Sequence, residues 1–293
     1  MAFNYAERFE SQIEEKYKHG LTSADMATNN KYRFIDAQTI KIPTVTISGY
    51  KDHVRTGEST NRGTISNEWT PYSLTHDRDI SFYVDIMDVD ETNQVVSAAH
   101  ITKAFMEDQA IPETDAYRYS KLYADFVTHG GTPTTTILTV SNILSIFDDA
   151  MEAMDEAGVP ESGRKLKCTP AIYTLLKSAE GIQRTLEASG AANVNRVIRK
   201  LDDVEITKVP SDRFKTAFDF TEGFAPAVTA KQIHMIIYHN SAIVAPVKVS
   251  DVYLWAKGET PQSAYGWLYQ NRSYQDLFLI KQKRAGVYIC TAV

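Results

Sequence analysis

Residues 76–94, HDRDISFYVDIMDVDETNQ, crowd Asp77, Asp79, Asp85, Asp88, Asp90 and Glu91 behind His76. Such a set has two chemical uses. Carboxylates converging on one point bind a divalent cation, and two carboxylates in different environments make an acid/base pair. The same residues have a plainer use, as the outer face of a strand and the cap of the helix after it. Spacing bears on the choice. Asp77, Asp79 and Asp85 share the polar face of an alternating segment whose other face carries Ile80, Phe82, Val84 and Ile86. They spread over roughly 26 Å at 3.3 Å per residue, too far to share one ion. Asp88 with Glu91 has a capping-box spacing, Asp90 is a second cap, and acids there suit the positive end of a helix dipole. A structural role is the expectation. A metal-dependent enzyme is the alternative, under which Asp88→Asn or Asp90→Asn would abolish an activity.

Other chemical motifs are missing. The sequence has no G-x-G-x-x-G, Walker A loop, H-E-x-x-H or C-x-x-C. His129-Gly130-Gly131 has the look of an oxyanion-hole loop but lacks a G-x-S-x-G partner, and it reads as a strand-to-helix break. Cys168, in KLKCTPAIY, reads as a small core thiol. The seven histidines are scattered, and His234 alternates with core positions as a strand-surface residue. No catalytic residue, metal ligand or cofactor is expected.

Composition narrows the class further. The chain has 293 residues, 43% apolar and 23% charged, ordinary for a folded protein with a sizeable core. Its net charge is −6, from 31 basic and 37 acidic residues, and the densest basic cluster is Lys281-Gln282-Lys283-Arg284. Tight nucleic-acid binding is not expected, nor is single-strand stacking, because the many Tyr and Phe fall in amphipathic patterns. Two distant cysteines exclude a disulfide framework. The N-terminus has no signal-peptide pattern, and no apolar run is long enough to span a membrane.

The elements that would position these residues follow from periodicity. Phe3, Ala6, Phe9, Ile13 and Tyr17 form a narrow helical stripe ending at Gly20, which must lie on its own domain or on a neighbour. TIKIPTVTISGY alternates with a phase flip at Pro43-Thr44, pointing to a bulge or an edge strand. DISFYVDIM is a half-buried strand. If residues 39–50 and 75–87 pair, the polar stretch 51–70 is the tip of a long hairpin; an ordinary surface loop is the alternative. A helical stripe runs on through Val95, Phe105, Ala116, Tyr119, Tyr123 and Phe126. Pro112 either kinks this helix or opens a second one. Helix over 90–127 would span roughly 50 Å. Beyond residue 138 the pattern is mixed α/β. A helix occupies SNILSIFDDAMEAMDEAG, then come a strand, a break at Pro170 and a short helix, a hairpin turning at Asp202-Asp203, and closing strands.

This order resembles the major capsid proteins of tailed double-stranded-DNA bacteriophages, whose shell fold is shared with encapsulins and the herpesvirus capsid floor. The stretches that carry the resemblance are AIPETDAYRYSKLYADF (110–126), YHNSAIVAPVKV (238–249) and NRSYQDLFLIKQKRAGVYI (271–289). The resemblance implies an α+β fold with an N-terminal arm (1–38), an extended β-hairpin loop (39–87), a peripheral domain with a spine helix (88–137 and 246–293) and a mixed α/β axial domain (138–245). It implies a structural subunit that self-assembles through pentamers and hexamers into an icosahedral head shell, in the virion, after assembly in the bacterial cytoplasm. Scaffolding and portal proteins are the expected partners, with only weak contact to packaged DNA and none to membrane. The start of the chain, at a Met with an arm, goes with a separate scaffolding protein. The family's lysine–asparagine cross-link has no identifiable pair here. Charge at the ends of extended elements nominates Lys51, Arg55, Glu58, Arg62 and Glu68 on the hairpin tip, and Asp90, Glu91, Glu113, Asp115 and Arg118 on the spine, as inter-subunit contacts. An encapsulin shell around cargo enzyme is the near alternative, and a phage tail or adhesion protein a further one.

Overall fold

The computed structural model describes residues 20–29, 32–34, 36, 38–52, 62–87, 98–179 and 197–293. The N-terminal stripe, Arg55, Glu58, Asp88, Asp90 and Glu91 lie outside them. The fold is α+β. Its strands are β1 (Arg33–Phe34), β2 (Thr39–Ile47), β3 (Ile65–Ser73), β4 (His76–Asp85), β5 (Arg164–Cys168), β6 (Lys200–Leu201), β7 (Val204–Lys208), β8 (Phe218–Asp219), β9 (Ala225–Pro226), β10 (Ile233–His239), β11 (Ile243–Val244), β12 (Val247–Trp255), β13 (Gly266–Gln275), β14 (Phe278–Leu279) and β15 (Val287–Thr291).

One sheet has the order β15-β10-β5-β7-β6. Its interior strand β10 carries the unbroken apolar run Met235–Tyr238, all buried, because both faces of the sheet are covered. Met235 and Ile237 pack with Phe147 and Ile172 of the helices Ile143–Glu156 and Pro170–Ser178. Ile236 and Tyr238 pack with Tyr119, Leu122 and Phe126 of a long helix on the other side. Local signals place the elements around this sheet. Thr169 caps Pro170–Ser178 by accepting the Ile172 N–H, and Pro170 sits where its missing N–H costs nothing. Asp202 and Asp203, at φ 46° and 63°, make the tight turn between β6 and β7. Cys168 is a core thiol as expected, and burial pushes its pKa up to about 12. His234 is half-buried on β10, and burial lowers its pKa.

The long helix runs through Ala98–Phe105, Met106–Ala110 and Ile111–Thr128, a span of about 46 Å at 1.5 Å per residue. Pro112 does not end it. Proline has no N–H for the carbonyl four residues back, and its ring crowds that carbonyl. The helix accommodates this with one wide π turn over Met106–Ala110, closed by the Ile111 N–H on the Met106 carbonyl. His129-Gly130-Gly131, expected as a strand-to-helix break, instead ends this helix. Gly130 (φ 79°) donates to Val127 and Gly131 to Phe126, the Schellman pattern. A Cβ on Gly131 would come within 2.6 Å of the Phe126 ring.

The hairpin pairing differs from the expectation. β2 pairs with β3, from Thr39↔Ser73 to Ile47↔Ile65, without a bulge. The expected partner of β2, residues 75–87, instead supplies β4, which joins β13 in the sheet β12-β13-β4. Ile65–Ser73 (ISNEWTPYS) was hidden in a polar stretch because neither face of the projecting ribbon is well covered, so no alternation marks it. The edge reading of Pro43 holds: β1 pairs only as far as Lys41, and beyond it β2 has a partner on one side. The segment 246–293 is divided, since β12 and β13 share a sheet with β4, in which β13 is the strand paired to it, while β15 pairs with β10. β4 itself is as expected, with Asp77, Asp79 and Tyr83 outward and Ile80, Phe82 and Val84 inward. Among the described residues no helix is long and apolar enough to cross a membrane.

Candidate assembly interface

The long helix places its charges differently from the surface role expected of them. Asp115 is 0% exposed and Arg118 5%, and the side chain of Glu113 is 14% exposed. The six consecutive residues Asp115–Ser120 are all buried, so this part of the helix has no outer face. Asp115 accepts the backbone N–H of Thr22 (3.1 Å) and of Ser23 (2.9 Å), the Thr22 hydroxyl (2.9 Å) and the Arg213 guanidinium (3.3 Å). Arg118 donates to the Ser23 carbonyl (3.2 Å) and to Gln275 (3.0 Å). Lys167, reaching over from β5, donates to the Thr22 carbonyl (2.9 Å) and to Asp25 (2.8 Å). Burial lowers the pKa of Arg118 and of Lys167, against the pull of their acidic neighbours. Burying charges is costly unless they are paired, and here the pairs tie Thr22–Asp25 to the helix and the central sheet.

A second hub fixes the root of the hairpin. Asp276, 1% exposed, accepts from the Tyr117 hydroxyl (2.7 Å), the Thr75 N–H (2.8 Å) and hydroxyl (3.2 Å), and the Leu277 N–H (2.7 Å). Tyr274 donates to the Leu74 carbonyl (3.1 Å). His76 stacks on Tyr117, with ring centroids 3.7 Å apart. Burial, with the nearby Arg78 charge, drops its pKa to about 4, so the imidazole is neutral near pH 7. Glu113 pairs with Arg78 (2.7 Å), and burial raises its carboxyl pKa despite that cation. Tyr117, Thr75 and Asp276 had no role in the sequence reading. The one signal for them was a carboxylate inside the apolar run YQDLFLI.

The exposed surfaces are of another kind. Pairing puts Pro43 opposite Trp69, Val45 opposite Asn67 and Ile47 opposite Ile65, all on one face of the β2–β3 ribbon. On that face Val45, Ile47, Ile65 and Trp69 are 51–76% exposed. The other face is buried at its base, where Ile40, Ile42 and Tyr72 pack against Val244, Tyr274 and Phe278. A second apolar patch lies on and beside the edge strand β12, with Val252, Tyr253, Leu254, Tyr265 and Met87 exposed. Lys51, Arg62 and Glu68 are exposed on the hairpin. Apolar patches of this kind mark surfaces that partners cover.

The acids of the opening stretch do not converge. Asp77 pairs with Arg272 (2.7 and 3.1 Å), and Asp85 accepts the Met87 N–H (2.9 Å). Among the described residues no group of three His, Cys, Asp or Glu side chains is placed to hold a metal.

No protein-family model matches the sequence, and no curated protein does. Solved structures do match. A chain of Mycobacterium phage Che8 superposes with a TM-score of 0.68 at 18% identity, over 99% of this chain and 98% of that one. The mature capsid of bacteriophage PhiM1 gives 0.68 at 12% identity, over 99% and 92%. The capsid of cyanophage P-SCSP1u gives 0.67 at 12%, over 98% and 93%. The hairpin, the long helix and the two main sheets together make, over nearly the whole chain, the fold of phage capsid subunits.

Proposed function

We propose that the chain is the major capsid subunit of a tailed phage, which assembles with copies of itself into the icosahedral shell around double-stranded DNA. The carrying observation is the correspondence with phage capsid chains, which covers more than nine-tenths of both chains in each comparison. The exposed apolar hairpin face agrees with it, since a subunit that works alone has no use for that surface. In this reading residues 1–38 are the N-terminal arm, 39–87 the extended hairpin loop, 88–137 and 246–293 the peripheral domain with the long helix as its spine, and 138–245 the axial domain. The Val45–Trp69 face seats on a neighbouring copy, and Lys51, Arg62 and Glu68 set register at its edge, where charge pairs fix orientation more than they add affinity. Arg55, Glu58, Asp90 and Glu91 keep the contact role expected from their charge and position. Scaffolding and portal proteins and weak DNA contact complete the set of partners. The place of action is the virion, after assembly in the host cytoplasm.

Electron microscopy of the expressed chain, with and without a co-expressed scaffold, tests this reading. Closed shells, or rings of five and six, are expected. A chain that stays monomeric under every condition contradicts it.

A further inference from the structure

The basic stretch Lys281-Gln282-Lys283-Arg284 forms a short 3-10 turn that leads into β15. The Ile280 N–H donates to the Ala242 carbonyl and the Lys283 N–H to the Ile280 carbonyl, both at 2.9 Å, so the backbone of the turn is held. The turn lies against the end of the long helix, where Arg284 donates to the Gly130 carbonyl. Lys281 and Lys283 are exposed, and Lys283 donates to the Ser241 carbonyl (3.1 Å). The helix brings Lys121 and His129 to the same end. Burial lowers the pKa of His129, and the charges of Lys281, Lys121 and Arg284 push it the same way, against Asp125. Asp125 is itself paired with Lys121 (3.3 Å).

A helix end favours cations, because its last carbonyls carry partial negative charge. That accounts for Arg284 on Gly130 and leaves Lys281 over. Among the described residues no carboxylate pairs with Lys281 or Arg284. Like charges held this close repel, and an anion that approaches them gains from each. The chain as a whole carries −6, so the crowding is local and does not follow from composition. The exposed aromatic side chains of the described residues, Tyr50, Trp69, Tyr83, Tyr253 and Tyr265, lie on or beside the hairpin and the β12-β13-β4 sheet. Point charges without stacking groups suit contacts to phosphate, which position a nucleic acid and do not read its bases.

We infer that Lys121, Lys281, Lys283 and Arg284, at the end of the long helix, form the surface by which the subunit meets the phosphate backbone of packaged DNA. The identity of this polyanion rests on the shell reading. The contact is made by charge alone, and it is weak and independent of sequence. It also gives the subunit an inner side, the one that carries Gly130 and the turn.

The test titrates a labelled duplex of about 30 base pairs with the full chain at about 20 to 100 mM salt, followed by fluorescence anisotropy. Neutralising about four phosphates gives log K a slope of roughly −3 to −4 against log salt. Lys281→Ala with Lys283→Ala should make that slope shallower by about 2 and weaken binding about tenfold at the low-salt end. Lys281→Arg with Lys283→Arg keeps the charge and should keep the slope. Arg199→Ala with Lys200→Ala removes two exposed cations at the opposite edge of the central sheet and should leave binding as it was. Duplexes of unrelated sequence should bind alike. An unchanged slope in the Lys281→Ala, Lys283→Ala variant would overturn the inference, as would an equal loss in the Arg199→Ala, Lys200→Ala variant. Tighter binding of poly-glutamate than of duplex at matched charge would also overturn it and assign the patch to an acidic protein. Electron microscopy of the parent chain separates the two readings. Shells from the parent chain with an unchanged slope in the variant would sink the patch alone. A parent chain that never assembles would sink the shell reading and with it the identity of the polyanion.

Discussion

The root of the hairpin and its outer face lie in the same β2–β3 ribbon and are built on opposite terms. At the root, the carboxylate of Asp276 is taken out of water and given four hydrogen bonds, from Tyr117, Thr75 and Leu277. On the outer face Val45, Ile47, Ile65 and Trp69 are left in water, forgoing the roughly 1.5–3 kcal/mol that burying each such side chain contributes. The root uses polar groups to fix a direction. In the proposed shell subunit, the face keeps apolar area in reserve for a contact made later. A subunit that must fold alone and then assemble needs both, and it needs them separate, so that changing one leaves the other working.

Variants that strike one region and spare the other separate the two. Asp115→Ala should have the largest effect on the subunit. It strips partners from buried Arg213 and from two backbone N–H groups, and removing one member of such a set costs about 3–5 kcal/mol. Urea unfolding should show that loss, and an unchanged midpoint would mean the hub carries little. Next is the acid limb of stability. His76 titrates near 6.5 when unfolded and at about 4 when folded, so between those values the unfolded chain binds more protons. Stability therefore falls as pH drops from about 6.5 to about 4, by up to about 3 kcal/mol in all. His76→Phe keeps a ring on Tyr117 and should flatten this limb when unfolding is followed at about pH 7, 5.5 and 4.

Tyr117→Phe removes one of the four hydrogen bonds to Asp276 and should cost about 1–3 kcal/mol. Ile47→Ser with Trp69→Ser should move stability by no more than about 0.5 kcal/mol, as exposed positions do, while shell formation is lost; light scattering reads the second effect and denaturation the first. The smallest change is expected from Arg55→Ala with Arg62→Ala. It should leave folding intact and weaken assembly most at low salt, because exposed charge pairs are screened.

The internal organisation was more legible in the sequence than the surfaces. Alternation marked β4, and the buried run of β10, Thr169-Pro170 and Asp202-Asp203 located their elements, since binary pattern and local capping act within a few residues. Partner choice did not show. β2 and β4 have equally good strand patterns, and only the tertiary fold sends β4 to β13 and gives β2 the polar Ile65–Ser73. The charges of the long helix were misplaced for a related reason. Asp115 and Arg118 look like solvated residues on a stripe until Thr22, Ser23 and Gln275, each more than 90 residues away, arrive to pair with them.

The proposed seating of the hairpin's exposed apolar face on a neighbouring copy is open to direct measurement. The direct test is a cryo-electron-microscopy map of the assembled particle, read at Val45, Ile47, Ile65 and Trp69. These four side chains are expected to be buried against an adjacent subunit, with the Asp276–Tyr117–Thr75 hub unchanged from the free chain. Particles in which all four still face solvent would contradict it.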